Sequence, residues 1–100
     1  VYAIGEPDEM LSGQVGFFGS ILPAAWSLML AMRARGIGTT WTSLLSARPK
    51  AISQILGVPD GVTQTVMLPA GYTLGATLKP ADRLSPREVT YWNRWGELDI

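Results

Sequence analysis

Between Glu9 and Arg33 the chain carries no charged residue. An apolar run of that kind becomes a core helix, an interface helix or a membrane span. Inside it, Ser20 has the side chain of an N-cap, and Pro23 falls in the first turn that would follow, where a missing N–H costs little. Ile21, Leu22, Ala25, Trp26, Leu28, Met29, Leu30 and Met32 come next. Arg33 and Arg35 fall in the last turn, where cations complement the helix dipole. Gly36 stands where a left-handed residue closes a helix. The pattern predicts a helix over 21–35, apolar on nearly every side and therefore buried on nearly every side. A spanning helix needs about 20 predominantly apolar residues. Ser12, Gly13, Gln14, Gly16, Gly19, Ser20, Pro23 and Ser27 dilute the stretch, so protein and not membrane is the expected surrounding.

Burial on that scale is hard to reconcile with the size of the chain. It has 100 residues, 47% of them hydrophobic and only 16% charged. A lone domain of this length hides only about 60–70% of the surface its unfolded chain exposes. The excess of apolar residues implies burial against a partner subunit or another part of the same polypeptide. The opening "VYAIGEPDE" has no basic region leading into an apolar core, so it is no secretory signal, and the chain reads as part of a longer protein. Acids and bases balance to a net charge of zero with no arm of like charge, which argues against nucleic acid as a partner. Cysteine and histidine are both absent. Disulfides, thiol chemistry, the usual zinc sites and Ser-His or Cys-His nucleophiles are thereby excluded within the chain. A cysteine-free chain fits a cytoplasmic setting.

Local signals divide the remainder. Residues 1–14, with Gly5 and Pro7 among acids, read as a loop. Residues 39–45 are rich in strand formers. Between Arg48 and Leu56, Ala51, Ile52, Ile55 and Leu56 recur at helical spacing, and Gly57 and Pro59 end the pattern. Asp60-Gly61 signals a turn. "TQTVMLPAGY" reads as one strand whose Val66, Met67 and Leu68 suit cover on both faces. Ser85-Pro86-Arg87-Glu88 is a capping box with proline at the first helical position. The tail carries Tyr91, Trp92 and Trp95, expected to pack on a neighbour.

Few motifs carry chemistry. "GIGTT" is no phosphate loop, because a dinucleotide fingerprint runs from strand to helix with a third glycine, and a Walker loop needs Gly-Lys-Ser/Thr. Gly36 is explained as a helix cap and Gly38 as relief of crowding. That leaves "TTWTS", small hydroxyl residues around one large aromatic. Lys79, Arg83 and Arg87 could hold a phosphate or could be solvated surface charges. Trp26, Trp41, Tyr72, Trp92 and Trp95 could stack a flat ligand, though packing explains most of them. Glu88, Glu97 and Asp99 have no evident partner, so no catalytic residue and no metal ligand is assigned. Chemistry here must come from a cofactor or from residues beyond this chain.

Taken in order, "GSILPAAWSLMLAMRARGIGTTWTSL", "ISQILGVPDGVTQTVMLPAGYTLG" and "KPADRLSPREVTYWNRWG" resemble the C-terminal half of the FMN-dependent nitroreductase family over most of residues 18–95. The resemblance implies an α+β fold, with helices covering a mainly antiparallel sheet. It implies a homodimer, with FMN at the dimer interface. NAD(P)H would reduce the flavin, and a nitroaromatic, a quinone or a similar small-molecule acceptor would then take the electrons in a ping-pong cycle. By the same resemblance Trp41, Thr42, Ser43 and Leu44 lie along the isoalloxazine ring, with one backbone N–H bonding flavin N5. Some members have Glu-Gly where this chain has Ser43-Leu44, so which N–H that is stays open. Arg83 matches the arginine that binds the FMN phosphate. Many members carry a basic residue two places earlier, where this chain has Ala81, with Lys79 nearest. The family's N-terminal half, which supplies further phosphate and ring-edge contacts, is expected to be missing from these residues. The rival reading is a non-enzymatic flavin-binding or dimerisation domain of the same fold.

Overall fold

The computed structural model describes residues 1–75 and 77–98. Strand β1 (Tyr2–Ile4) leads into a long helix, α1 (Leu11–Arg33), followed by β2 (Ile37–Thr39). A 3₁₀ turn over Leu44–Ala47 runs into α2 (Pro49–Leu56). Strands β3 (Val62–Gln64) and β4 (Ala70–Tyr72) precede the single turn of α3 (Pro86–Val89). The class is α+β, as expected. In place of one central sheet there are two small antiparallel sheets, β1 with β3 and β2 with β4.

Residues 62–72 hold these pieces together. In its first half Ile4, Ala3 and Tyr2 pair with Val62, Thr63 and Gln64. The ladder continues through the Thr65 N–H to the Val1 carbonyl at 3.1 Å and the Val1 ammonium to the Val66 carbonyl at 2.8 Å. At Met67 the partner changes. Met67 pairs with Thr42, Pro69 O accepts the Thr40 N–H at 3.1 Å, and Ala70, Gly71 and Tyr72 pair with Thr39, Gly38 and Ile37. The single strand expected over 63–72 is therefore one extended segment that exchanges partners between Val66 and Met67. Val66 is buried, but Met67 is 38% exposed, so cover on both faces holds only for the first. The opening residues, expected as a loop, contain β1. Its partner lies some sixty residues away, and no local pattern reports such a pairing.

Helix α1 begins ten residues before the expected Ile21. Asp8, not Ser20, serves its start: the Asp8 carboxylate accepts the Met10 N–H at 3.0 Å, at the end of the helix where negative charge is favoured. Ser20 is interior, and its hydroxyl donates back to the Phe17 carbonyl at 2.7 Å. Pro23 is interior too. Gly13, Gly16 and Gly19 each disfavour a helix interior by about 1 kcal/mol relative to alanine, which is why local propensity hid this half. Packing overrides it. Phe17, Phe18, Ile21, Leu22 and Met29 lie half-buried on the side of Ala25, the helix's only fully buried residue among those described. The rest is bare: Trp26 and Leu30, turned away from Ala25, Val15 on the flank and Leu11 at the helix start are all more than half exposed. The expectation of burial on nearly every side is thus corrected. The helix has two apolar faces, and this chain covers one.

The same shortage appears globally. Ala3, Ala25 and Val66 are the buried apolar residues among those described. The accessible surface is 8404 Å². A compact monomer of this mass exposes about 5,500 Å². The radius of gyration is 17.9 Å, against about 13 Å for a compact chain of 100 residues. The molecule is a slab of 52 × 45 × 20 Å, a helix laid on thin sheet with its outer faces open. At its far end Trp95 is 90% exposed, and its ring meets that of Tyr91 at a tilt of 60° with centroids 4.9 Å apart.

The glycine-terminated ends of α1 and α2 and the start of α3 are where sequence and structure agree best. Gly36 has φ +77° and Gly57 φ +65°, both left-handed. The Gly36 N–H returns to the Arg33 carbonyl at 3.0 Å. At α3 the glutamate arm of the capping box forms, the Ser85 N–H donating to Glu88 Oε1 at 3.3 Å, and the Glu88 N–H closes the turn on the Ser85 carbonyl at 2.9 Å. A β-branched residue cannot take the Gly36 conformation without strain. Gly36→Val is expected to cost more than about 1 kcal/mol, lowering the melting temperature by about 4–8 °C per kcal/mol for a domain of this size. Thermal melting followed by circular dichroism checks this, and an unchanged midpoint would remove Gly36 as the constraint on the α1–β2 corner.

Candidate functional site

The segment after β2 is pinned at one point. The Thr42 N–H donates to the Met67 carbonyl at 3.1 Å, and the Met67 N–H donates to the Thr42 carbonyl at 2.8 Å. Two opposed bonds on one residue fix both the position and the orientation of its peptide groups. Two residues on, the Leu44 N–H is held by Thr42 Oγ1 at 3.3 Å. Two residues earlier, the Thr40 N–H is held by Pro69. Extended backbone alternates its N–H groups from edge to edge. Those of Trp41 and Ser43 therefore face away from Met67, and neither has a hydrogen-bond partner among the described residues.

Ser43 then opens the 3₁₀ turn, and its carbonyl accepts the Ser46 N–H at 2.9 Å. It stands on a rim between two depressions. One, of about 250 Å³, is lined by Thr42, Ser43, Leu45, Val66, Met67 and Leu68 among others. The other, of about 600 Å³, is richer in hydroxyl groups, with Ser43, Ser46, Ser53, Thr63 and Thr65 on its wall. Trp41 lines neither. It is 38% exposed and lies on the opposite face of the segment from Thr42, as alternation requires.

Gly38 supports the close packing here. A Cβ on it would lie 2.8 Å from Thr73 Cγ2, so relief of crowding is what the second glycine of "GIG" provides.

The sequence-derived candidates divide accordingly. Trp41, Thr42, Ser43 and Leu44 form one continuous ridge, and the structure distinguishes their N–H groups as the sequence could not. Arg83 is not brought to them. It is exposed, and among the described residues its guanidinium donates only to the carbonyl of neighbouring Asp82, at 3.1 Å. The helix that follows it is four residues long, too short to add a useful dipole. Lys79 and Arg87 are likewise exposed. Of the five aromatic candidates, none stacks on another; Trp95 pairs with Tyr91 instead. Glu97 forms an exposed ion pair with Arg94 at 4.0 Å, Glu88 is spent on its capping box, and Asp99 lies outside the described residues. What sequence reasoning missed is Met67 as the clamp on Thr42. Its only signal was its place in a strand-forming run.

The backbone clamp predicts two unequal variants. Thr42→Val keeps both bonds to Met67 and should change stability by less than about 1 kcal/mol. Met67→Pro removes the N–H that Thr42 O accepts and should cost about 1–3 kcal/mol. Urea denaturation of the two proteins distinguishes them, and equal losses would mean that the bridge contributes nothing.

The family model described as the nitroreductase family matches residues 1–72. That stretch contains β1 through β4 and the ridge at 41–44, and it ends before Arg83. No curated protein matches the chain.

Proposed function

The chain belongs to the nitroreductase family, and from that premise we propose that residues 41–44 form one edge of an FMN site. The enzyme is an NAD(P)H oxidoreductase that passes electrons to nitroaromatics, quinones or similar small acceptors in a ping-pong cycle. One observation carries the reading beyond family membership: the Thr42–Met67 clamp leaves the Ser43 N–H unengaged on the rim of a pocket. A fixed backbone donor beside small side chains suits the acceptor edge of a flat heterocycle. Leu44 is the weaker candidate for that bond, because Thr42 Oγ1 already holds its N–H.

The flavin, when bound, supplies the hydride chemistry. The protein's part is to bind and orient. Ser43 presents the donor, Thr42 holds it in place, and the small hydroxyl side chains allow close approach. Trp41, on the other face, supports the ridge. No acid or base is asked of this chain, which has no histidine or cysteine to offer.

The fit is partial in an informative way. Pockets for molecules of this size run to about 300–1,000 Å³, and the one beside Thr42 has about 250 Å³ with no lysine or arginine on its wall. The phosphate grip must therefore come from elsewhere. We assign it in part to Arg83, on the resemblance of "DRLSPREV" to the family's phosphate segment. We read residues 1–100 as the C-terminal part of a single nitroreductase-like domain. The open face of α1 is then covered by the N-terminal half or by a second subunit of a homodimer. By length and composition alone α1 could cross a membrane. However, β2 packs beside it, and the two-stranded sheet that β2 forms with β4 has open edges, which lipid does not tolerate, so protein is the better cover. The proposed setting is cytoplasmic, resting on the cysteine-free sequence.

The direct test is the visible and near-ultraviolet spectrum of the full-length protein. Flavin bands that bleach with NAD(P)H and return with a nitroaromatic acceptor are expected. Bands that resist NAD(P)H would favour the non-enzymatic flavin-binding rival, and a protein colourless even with added FMN would end the flavin reading. Arg83→Ala should weaken FMN binding by about 1.5–3 kcal/mol, the scale of a charge-assisted bond. An FMN titration that reads the same for variant and parent would remove Arg83 from the phosphate site.

A further inference from the structure

The 3₁₀ turn and α2 are poorly anchored by apolar contact. Neither has a buried residue, and in α2 Ile55 is 78% and Leu56 55% exposed. Yet this unit begins at Ser43, whose orientation matters to the site. What anchors it is polar, and it converges on one side chain. Gln64 Nε2, at the end of β3, donates to the Pro49 carbonyl at 3.1 Å and to Ser53 Oγ at 2.9 Å. The backbone carbonyl of the same residue accepts from Ser46 Oγ at 3.5 Å. Among the described residues no other hydrogen bond joins α2 to a strand. Turn and helix are joined directly at Arg48, whose N–H closes the turn on the Leu45 carbonyl at 3.2 Å and whose carbonyl opens the helix by accepting from Ile52 at 3.2 Å.

We propose that Gln64 is a positioning residue for the site: it ties α2 and the 3₁₀ turn to β3 and so holds the wall carrying Ser46 and Ser53 in place beside the Ser43 peptide, which the Thr42–Met67 clamp orients. The inference rests on the reading of residues 41–44 as the flavin edge. The residue type fits the task. One primary amide nitrogen carries two N–H donors, matching two acceptors that face it from consecutive turns of α2. Leucine would fill the same volume with no donor. Glutamate would set a carboxylate against the Pro49 carbonyl. Gln64 also lines both depressions beside Ser43, whereas Ser53 is absent from the wall of the one beside Thr42, so Ser53→Ala loosens the tie without altering that wall.

The experiment uses the full-length protein with FMN, as parent, Gln64→Leu and Ser53→Ala; the last removes one of the two bonds and is the milder change. Amide hydrogen exchange over residues 43–56 is compared with exchange over 37–39 as an internal reference, and the midpoint potential of the bound flavin is measured. Exchange over 43–56 is expected to quicken by about tenfold in Gln64→Leu, the order for losing two net hydrogen bonds from a local opening, and by less in Ser53→Ala. Residues 37–39 should be unchanged, and the flavin potential should shift in the same order as the exchange. A purely structural role would speed exchange and leave the potential where it was, which overturns the proposal, as does parental exchange in both variants. If Gln64→Leu does not fold, Ser53→Ala carries the comparison. Failure of the underlying flavin reading shows itself separately, as a parent protein that takes up no FMN.

Discussion

Everything in this molecule hangs on a change of partner within one extended segment. Residues 62–66 are zipped to the first residues of the chain, and residues 67–72 to the stretch after α1. That single segment joins two sheets that would otherwise be separate hairpin-sized fragments, each marginal in water on its own. It also places Met67 opposite Thr42 and Gln64 under the turn that follows. The candidate site is thus built at the joint, where backbone pairing is most constrained and side-chain packing least. A backbone donor is a natural product of such a place, since its geometry is set by the ladder and not by a rotamer.

The slab is short of core, and that shortage has a direction. The chain buries a narrow seam around Ala25 and Val66 and leaves the far face of α1, the sheet edges and the aromatic tail open. Polar bonds carry more of the local order than usual as a result. The turn and α2 are held to β3 by hydrogen bonds from a half-buried glutamine, and the start of α1 by an aspartate. Net contributions of about 1 kcal/mol each decide local stability only where apolar burial is small.

Features set by neighbouring residues were legible in the sequence. The left-handed glycines after α1 and α2, the capping box at Ser85, the helix at 49–56 and the crowding at Gly38 all follow from rules that span a few positions. The family was legible too, because its features recur in a fixed order. What lay hidden was set over long separations. The strand at Tyr2–Ile4 exists only because Val62–Gln64 exists. The first half of α1 was masked by three glycines and a proline whose local penalties are outweighed by Phe17, Phe18 and Ile21 packing on one side. The ridge at 41–44 was located by resemblance, but the choice between the Ser43 and Leu44 amides needed the pairing with Met67 and the bond to Thr42 Oγ1. Arg83 remains outside the ridge, because nothing in these residues folds its loop back onto it.

The pairing of the first residues with Val62–Val66 also fixes an order of events in folding. Val1 and the carbonyl its nitrogen bonds are separated by 65 positions. Closure over such a separation is slow relative to helix formation. Helix α1 therefore forms first, and the narrow seam around Ala25 and Val66 closes only when residues 62–72 arrive to join the two ends.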